Sequence, residues 1–189
     1  MAPGDDLRRR RDHGLRDITC TILAARALGA LGGGDPGTVT LISHSLGGWA
    51  GAVIAMTPDG LGPDAAQCRF AEGDPGPDAF AGLAGAYAIG DADGWEAIIG
   101  VARADDPDAW AALDPVALVG RYGAPAIPLL LLHGEDDRNV LPDVSRQLAA
   151  ALTAAGLSTS VVIEAGVDHG AIPTAPETIR ALVDPLTLD

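Results

Sequence analysis

The sequence predicts an α/β fold in which about four parallel strands carry helices on both faces. Three observations lead to it. Short apolar runs alternate with longer helical segments along most of the 189 residues. The run at 38–44 is apolar at successive positions, as expected of a parallel strand buried on both faces. A sharp turn with sequence SHSLGG, at 43–48, joins that run to a helical segment.

The expected strands are short and rich in apolar residues, and they lie at 38–44, 79–87, 126–132 and 159–163. The expected helices have apolar residues at helical spacing, and they lie at 17–31, 46–56, 144–155 and 175–186. Residues 1–14 and 58–77 read as loose or loop-like. The stretch 90–122 predicts two or three short helices, which we expect to form a cap-like insertion over the strand ends within a single domain, 1–189.

Composition narrows the classes of partner. The formal net charge is −14, and an acidic surface repels nucleic acid and anionic lipid. No run approaches the ~20 apolar residues of a membrane-spanning helix. The chain has no lysine, which rules out Schiff-base chemistry and a lysine base. We therefore expect a small-molecule substrate, with neither nucleic acid nor membrane as a partner.

The two cysteines and the N-terminus bear on the compartment. Cys20 and Cys68 lack a C-x-x-C spacing, so a zinc or redox motif has little support, and the sequence leaves their pairing open. The N-terminus is acidic and has no hydrophobic segment of a signal peptide. A cytoplasmic location is the resulting expectation.

The turn at 43–48 matches the nucleophile elbow, G-x-S-x-G, with Ser45 at the apex. Such a turn needs small residues two before and two after the apex, because strand and helix converge there. Ser43 and Gly47 fill these places, and Gly48 adds clearance. The alternative is an ordinary strand-to-helix turn with a capping serine.

Reactive side chains follow three of the expected strands. Ser45, Asp137 and His169 each lie just past a strand, and the carboxyl ends of parallel strands share one edge of a sheet. The sequence therefore predicts that a hydroxyl, a carboxylate and an imidazole meet at this edge.

Residues 16–186 resemble the C-terminal two-thirds of an α/β-hydrolase of the carboxylesterase or lipase kind. The resemblance rests on DP at 35–36, SHSLGG at 43–48, HGEDD at 133–137 and DHG at 168–170. The family places its acid four residues after the histidine of the H-G turn, which points to Asp137. The order nucleophile, acid, histidine also fits the superfamily.

The resemblance implies a Ser-His-Asp triad of Ser45, His169 and Asp137, with the backbone N–H of Leu46 as an oxyanion donor. The other histidines fit the role of base less well. His13 lies in the loose N-terminal stretch, the His44 side chain should point to the face opposite Ser45, and the family uses His133 structurally. No cofactor and no metal are expected.

Four further side chains are candidates for contact with substrate: His44, Tyr87, Trp95 and Trp110. The alternative for the tryptophans is that they form the core of the cap. The sequence identifies neither the acyl nor the alcohol group of a substrate.

A complete α/β-hydrolase has further strands before the first helix seen here, and one of their loops supplies the second oxyanion donor. We therefore expect a truncated form of the fold. One edge of the strand at 38–44 would then be open, and an open apolar edge is a site of self-association.

The resulting functional prediction is a serine hydrolase that cleaves carboxylic esters through an acyl-enzyme on Ser45. One alternative is a catalytically impaired fragment that serves as a pairing module. A second alternative is a peptidase or an acyltransferase of the same fold.

Overall fold

The computed structural model describes residues 3–33, 35, 37–58, 61, 68–70, 72–90, 94–157 and 159–183. Four strands form one parallel sheet in the order β1-β2-β3-β4. Their bounds are β1 Thr40–His44, β2 Ala79–Leu83, β3 Leu129–Gly134 and β4 Ser160–Glu164. The predicted fold class is confirmed.

Seven helices and one 3₁₀ turn, Ile172–Thr174, lie among the described residues. The helices are α1 Pro3–Leu31, α2 Leu46–Met56, α3 Trp95–Ile99, α4 Pro107–Ala111, α5 Pro115–Tyr122, α6 Asp143–Ala154 and α7 Pro176–Val183. None of the described helices is long and apolar enough to cross a membrane.

The strands alternate their side chains between two hydrophobic cores. Phe80, Leu129 and Leu131 pack with α2, α5 and α6 on one face. Leu130 and Leu132, one residue out of phase with their neighbours, pack with the 3₁₀ turn and α7 on the other. Helices therefore cover both faces, as the apolar character of the strands predicts.

Helix α1 begins at Pro3, so the prediction that residues 3–14 are loose is wrong. Proline suits the first helical position, because its fixed φ is helical and its missing N–H would have no partner there. A tertiary contact, which no sequence pattern shows, holds the N-terminal half of the helix: Arg11 Nη1 donates to the carbonyl of Ile99 at 2.5 Å.

All four strands differ from their predicted bounds, β1 by starting at Thr40, β4 by one residue at each end, and β2 and β3 by more. Strand β2 ends at Leu83, four residues early, because Ala84 turns the chain with a φ of 47°. Strand β3 starts at Leu129, directly after Pro128, which has no N–H to give to a ladder. It continues through His133 and Gly134.

The predicted short helices in 90–122 are present as α3, α4 and α5, with 91–93 outside the described residues. Asp106 and Asp114 cap the latter two by accepting the N–H groups of Ala109 and Ala117. Outside the described residues also lie parts of the predicted loop at 58–77 and the last residues of the helix predicted at 175–186.

Cys20 and Cys68 form a disulfide, with their Cα atoms 5.6 Å apart. It ties α1 to the segment that precedes β2, which settles the pairing that the spacing left open. Disulfides persist mainly in oxidising compartments, so this bond does not favour the expected cytoplasmic location.

Candidate active site

Ser45 stands in the turn between β1 and α2 with φ 58° and ψ −125°, a backbone conformation that residues other than glycine seldom adopt. Hydrogen bonds hold it on both sides. Its N–H donates to the carbonyl of Leu83 at 2.9 Å, and its carbonyl accepts the N–H of Trp49 at 3.2 Å. The hydroxyl therefore projects beyond the end of β1 from a fixed backbone.

Glycines let α2 approach the sheet closely. A Cβ on Gly48 would lie 2.8 Å from the Cα of Gly85, and one on Gly51 would lie 2.8 Å from a ring carbon of Phe80. A Cβ on Gly47 would meet only an ordinary contact, at 3.9 Å. The closest packing therefore lies at the second glycine of the motif and one turn further along the helix.

The structure brings Ser45, His169 and Asp137 together in one chain of hydrogen bonds. His169 Nδ1 lies 2.6 Å from Asp137 Oδ2, and its Nε2 lies 2.8 Å from Ser45 Oγ. Because a carboxylate only accepts, Nδ1 carries the proton and Nε2 faces the serine hydroxyl as an acceptor. This is the arrangement in which an imidazole can take a proton from serine.

Asp137 is 2% exposed, and both of its oxygens are used. Oδ2 faces His169, while Oδ1 accepts the N–H groups of Asn139 and Val140, each at 2.9 Å. Burial opposes the charged form, but these backbone bonds and His169 hold the pKa of the carboxyl below its ordinary value. The carboxylate is therefore ionised at neutral pH.

His133 is fully buried beneath the acid turn. Its Nε2 lies 2.8 Å from the carbonyl of Val140 and 3.1 Å from Asp137 Oδ2, and its Nδ1 lies 2.7 Å from Ser145 Oγ. Both neighbours of Nε2 are acceptors, so that nitrogen carries the proton. Burial lowers the pKa of His133, although Val140 and Asp137 act in the other direction. This neutral ring fastens the acid turn to α6.

His44 is the last residue of β1 and directly precedes Ser45. Its Nε2 is 2.9 Å from the backbone carbonyl of His169, and the two rings are 4.8 Å apart, inclined at 39°. The ring therefore contacts the loop that carries His169, and it lines neither of the cavities at the site described below. Contact of His44 with substrate stays a prediction.

Leu46 is the first residue of α2, so its backbone N–H has no acceptor within the helix. It lies at the positive end of the helix dipole, next to Ser45. An anionic oxygen near Ser45 would find this donor already in place. The Leu46 side chain is 51% exposed.

An apolar cavity of about 480 Å³ opens beside Ser45, between α3, the 139–141 loop and the start of α6. Its lining, apart from Ser45, Gly94 and Asn139, is apolar: Leu46, Ala86, Ala88, Trp95, Ile98, Val140, Leu141 and Val144. The ring of Trp95 packs edge-on against Trp49, with centroids 5.2 Å apart. Trp95 thus lies where a substrate-contacting residue was expected.

A polar cavity of about 580 Å³ lies on the side of His169. Besides His169, its lining consists of Asp136, Arg138, Asn139, Gly166, Asp168 and Gly170. Asn139 borders both cavities. The candidate site therefore has an apolar side and a hydrogen-bonding side.

Tyr87 and Trp110, which were expected to contact substrate, line neither cavity beside the triad, and Trp110 borders a separate cavity of about 300 Å³. Tyr87 is 0% exposed, and its ring fills space left by Gly82 and Gly85, where any Cβ would collide with it. Burial raises the pKa of its hydroxyl. Trp110 is 6% exposed and donates through Nε1 to the carbonyl of Val101. Both rings belong to the larger hydrophobic core.

The family model described as the alpha/beta hydrolase family matches residues 2–182. The chain belongs to this family. The resemblance seen in the sequence motifs is thereby confirmed. No curated protein sequence matches the chain.

Solved structures share the alpha/beta hydrolase fold with this chain at low identity. A truncated carbohydrate esterase from gut microbiota is 17% identical, with a TM-score of 0.78 over 92% of this chain and 67% of its own. An acetyl ester-xyloside bifunctional hydrolase from Caldicellulosiruptor lactoaceticus is 18% identical, with a TM-score of 0.65 over 92% and 60%. A propionate-bound esterase from Thermogutta terrifontis is 22% identical, with a TM-score of 0.62 over 83% and 55%. This alpha/beta hydrolase chain thus spans between about half and two-thirds of these proteins.

Sequence reasoning missed the residues that build the cavity walls. Asn139, Val140 and Leu141 lie within four residues of the acid, so the H-G-x-x-D turn itself gave a signal that they lie at the site. Ala86 and Ala88 follow β2 as Ser45 follows β1, which was also visible. Ile98 and Val144 gave no such signal, because tertiary packing alone brings their helices to the serine.

Proposed function

We propose that this chain hydrolyses carboxylic esters through an acyl-enzyme on Ser45. The observation that carries the proposal is the continuous path Ser45 Oγ to His169 Nε2 and His169 Nδ1 to Asp137 Oδ2, at 2.8 and 2.6 Å. Nucleophilic acyl transfer by serine requires an unprotonated imidazole nitrogen within hydrogen-bond distance of the hydroxyl. The ester bond is also the one named for the solved structures that share the fold.

In the acylation step, His169 Nε2 takes the hydroxyl proton as Ser45 Oγ bonds to the carbonyl carbon. The carbonyl oxygen becomes an anion, and the Leu46 N–H donates to it. The tetrahedral intermediate then loses its alcohol: the carbon–oxygen bond breaks, and His169 returns the proton to the departing oxygen. Asp137 fixes the tautomer of the ring and stabilises its charged form.

In the deacylation step, water replaces the alcohol. His169 Nε2 takes a proton from the water as its oxygen attacks the acyl carbon, and then returns a proton to Ser45 Oγ as the acid leaves. The net reaction consumes one ester and one water and yields one acid and one alcohol. No residue ends in an altered state.

Residues 90–122 are proposed to act as a cap-like insertion. Helix α3 supplies Trp95 and Ile98 to the cavity beside Ser45, which supports this role. Helix α5 packs on α2 and α6, and the carbonyl of Leu113, between α4 and α5, accepts the Nε1–H of Trp49 at 2.7 Å. The insertion thus forms one wall of the site from a fixed support.

The test is covalent labelling of the purified chain by a serine-directed organophosphorus probe, together with turnover of a short-chain nitrophenyl ester. We expect one label on Ser45 and ester turnover that Ser45→Ala and His169→Ala reduce to background. Ser43→Ala, a neighbouring serine in the same turn, is the matched control and should be labelled like the wild type. An unlabelled wild type would contradict the proposal and favour an inactive pairing module, whereas labelling with amide cleavage but no ester turnover would favour a peptidase.

A further inference from the structure

Two cavities of contrasting chemistry meet at the candidate active site. The apolar cavity is lined by Ser45 and Leu46, and the polar one by His169. Asn139 separates them and borders both. A substrate bound across the site would therefore place one end among aliphatic and aromatic side chains and the other among charged and amide groups.

The proposed reaction determines which part of the ester lies on which side of the site. The carbonyl oxygen must lie toward the Leu46 N–H, since that donor stabilises the anion. The departing oxygen must lie within reach of His169 Nε2, since it receives its proton from that atom. The acyl chain thus falls on the side of Ser45 and Leu46, and the alcohol falls on the side of His169.

We propose that the preferred substrate is an ester of an aliphatic acid longer than acetic acid with a neutral, polyhydroxylated alcohol. This inference rests on the proposed function and adds to it the two halves of the substrate. Hydroxyl groups of the alcohol bind in the polar cavity, and the alkyl chain of the acid binds in the apolar one.

The acyl side favours an uncharged chain because no ionisable side chain lines the apolar cavity within the described residues. Contacts within the protein also hold the walls of this cavity in place before a substrate binds. Trp95 packs on Trp49, and the carbonyl of Val140 accepts from the buried His133. Each methylene that packs on a preformed apolar wall gains transfer free energy without a further cost of ordering that wall. A cavity of about 480 Å³ holds far more than an acetyl group.

The alcohol side offers acceptors and donors together. The carboxylates of Asp136 and Asp168 accept hydrogen bonds, and the side chains of Arg138 and Asn139 donate them. Asp168 is held in place by its own bond from the N–H of Ala171, at 2.9 Å. The two carboxylates repel an anionic alcohol, and a quaternary ammonium group can neither donate a hydrogen bond to them nor accept one from Arg138 and Asn139. A neutral polyol matches both kinds of group.

The experiment compares kcat/KM for four esters: glycerol 1-acetate, glycerol 1-butyrate, ethyl butyrate and butyrylcholine. We expect glycerol butyrate to exceed glycerol acetate by at least about tenfold, the scale of added methylenes in an apolar pocket. It should exceed ethyl butyrate and butyrylcholine by about tenfold, the scale of one or two hydrogen bonds.

Variants assign each preference to its cavity. Ala88→Phe fills the apolar cavity, so the butyrate-to-acetate ratio should fall toward one. Ala154→Phe, an exposed position at the end of α6 that lines neither cavity, is the matched control and should keep the ratio. Asp136→Leu should lower the ratio of glycerol butyrate to ethyl butyrate. Rates of Ser45 labelling by methyl and butyl nitrophenylphosphonates report the acyl side even when turnover is slow.

The outcomes distinguish a failure of the substrate assignment from a failure of the proposed ester hydrolysis. Ser45-dependent hydrolysis with no acyl or alcohol preference would overturn the substrate assignment and leave the ester hydrolase standing. A preference for butyrylcholine or for ethyl butyrate would overturn the polyol assignment. Absence of both labelling and turnover would overturn the proposed function, and this inference with it.

Discussion

At the scale of single residues, Asp137 does two things with its two oxygens. Oδ2 receives the Nδ1–H of His169, and Oδ1 receives the backbone N–H groups of Asn139 and Val140. The same carboxylate that sets the tautomer of the base therefore also shapes the wall of the apolar cavity. A change at Asp137 should affect both rate and acyl preference.

Asp137→Asn tests this double role. The amide presents a donor where the imidazole needs an acceptor, so the wrong tautomer is favoured, and kcat should fall by roughly 10⁴ as in other serine triads. The variant should also lose part of the stability that the ionised carboxylate gives. Because the pKa of Asp137 is below its ordinary value in the folded state, that stability is present above an unfolded pKa of 3.8 and is lost as pH falls through the folded value. A kcat within tenfold of the wild type would contradict the assigned role.

His44 gives a second prediction. His44→Ala removes the donor to the His169 carbonyl and should lower kcat by about tenfold, the value of one hydrogen bond, with little change in KM. His44→Gln keeps an N–H at a similar reach and should recover much of the loss. Equal damage from both variants, or a kcat loss as large as that of His169→Ala, would mean that His44 acts in the chemistry itself.

At the scale of elements, the end of β3 and the start of α6 form one polar corner around His133. The ring joins the carbonyl of Val140 to the hydroxyl of Ser145 while it touches Asp137. The corner is stable only with a neutral ring, because a second proton would place a charge at a position with 0% exposure.

This corner predicts a pH dependence of stability. The pKa of His133 is lowered by burial, so the unfolded chain takes up the proton first as pH falls. Its contribution is complete above the unfolded pKa of 6.5 and is lost below it, with a slope approaching about 1.4 kcal/mol per pH unit. Urea unfolding at pH 8, 6.5 and 5 should show a steeper decline for the wild type than for His133→Gln. Parallel declines would argue against a buried neutral ring.

Sequence patterns predicted which helices and strands are present better than they predicted where these elements end. They also predicted the elements better than the residues that line the cavities. The apolar runs and the SHSLGG turn sufficed for four parallel strands and for the meeting of Ser45 with two downstream loops, because strand ends converge in such a sheet. They failed for β2, where Ala84 adopts a positive φ that alanine rarely shows. They failed for Tyr87 because its burial depends on Gly82 and Gly85 across the turn, a spatial relation and not a periodic one.

At the scale of the whole molecule, β1 pairs only with β2 among the described residues. The carbonyl of Val39 and the N–H of Ser45 face β2, so the alternating backbone groups of Thr40, Ile42 and His44 face the other way. Ile42 on this strand is 51% exposed. An unpaired edge with an exposed branched side chain is a template for another strand.

The open edge predicts self-association of the chain. Sedimentation equilibrium should show concentration-dependent association of the wild type. Ile42→Lys should weaken it, because a lysine on an edge strand disfavours pairing. Ile179→Lys is the matched control, since Ile179 is 48% exposed on α7, away from the edge, and should behave like the wild type. A wild type that stays monomeric at every concentration would contradict the prediction.

The contact between His44 and His169 has a mechanical consequence. Two consecutive residues, the last of β1 and the one after it, hydrogen-bond to His169. His44 bonds to its backbone carbonyl, and Ser45 bonds to its ring. A displacement of the loop after β4 would have to break both hydrogen bonds at once. The position of His169 relative to Ser45 is therefore set by two contacts to adjoining residues, His44 and Ser45.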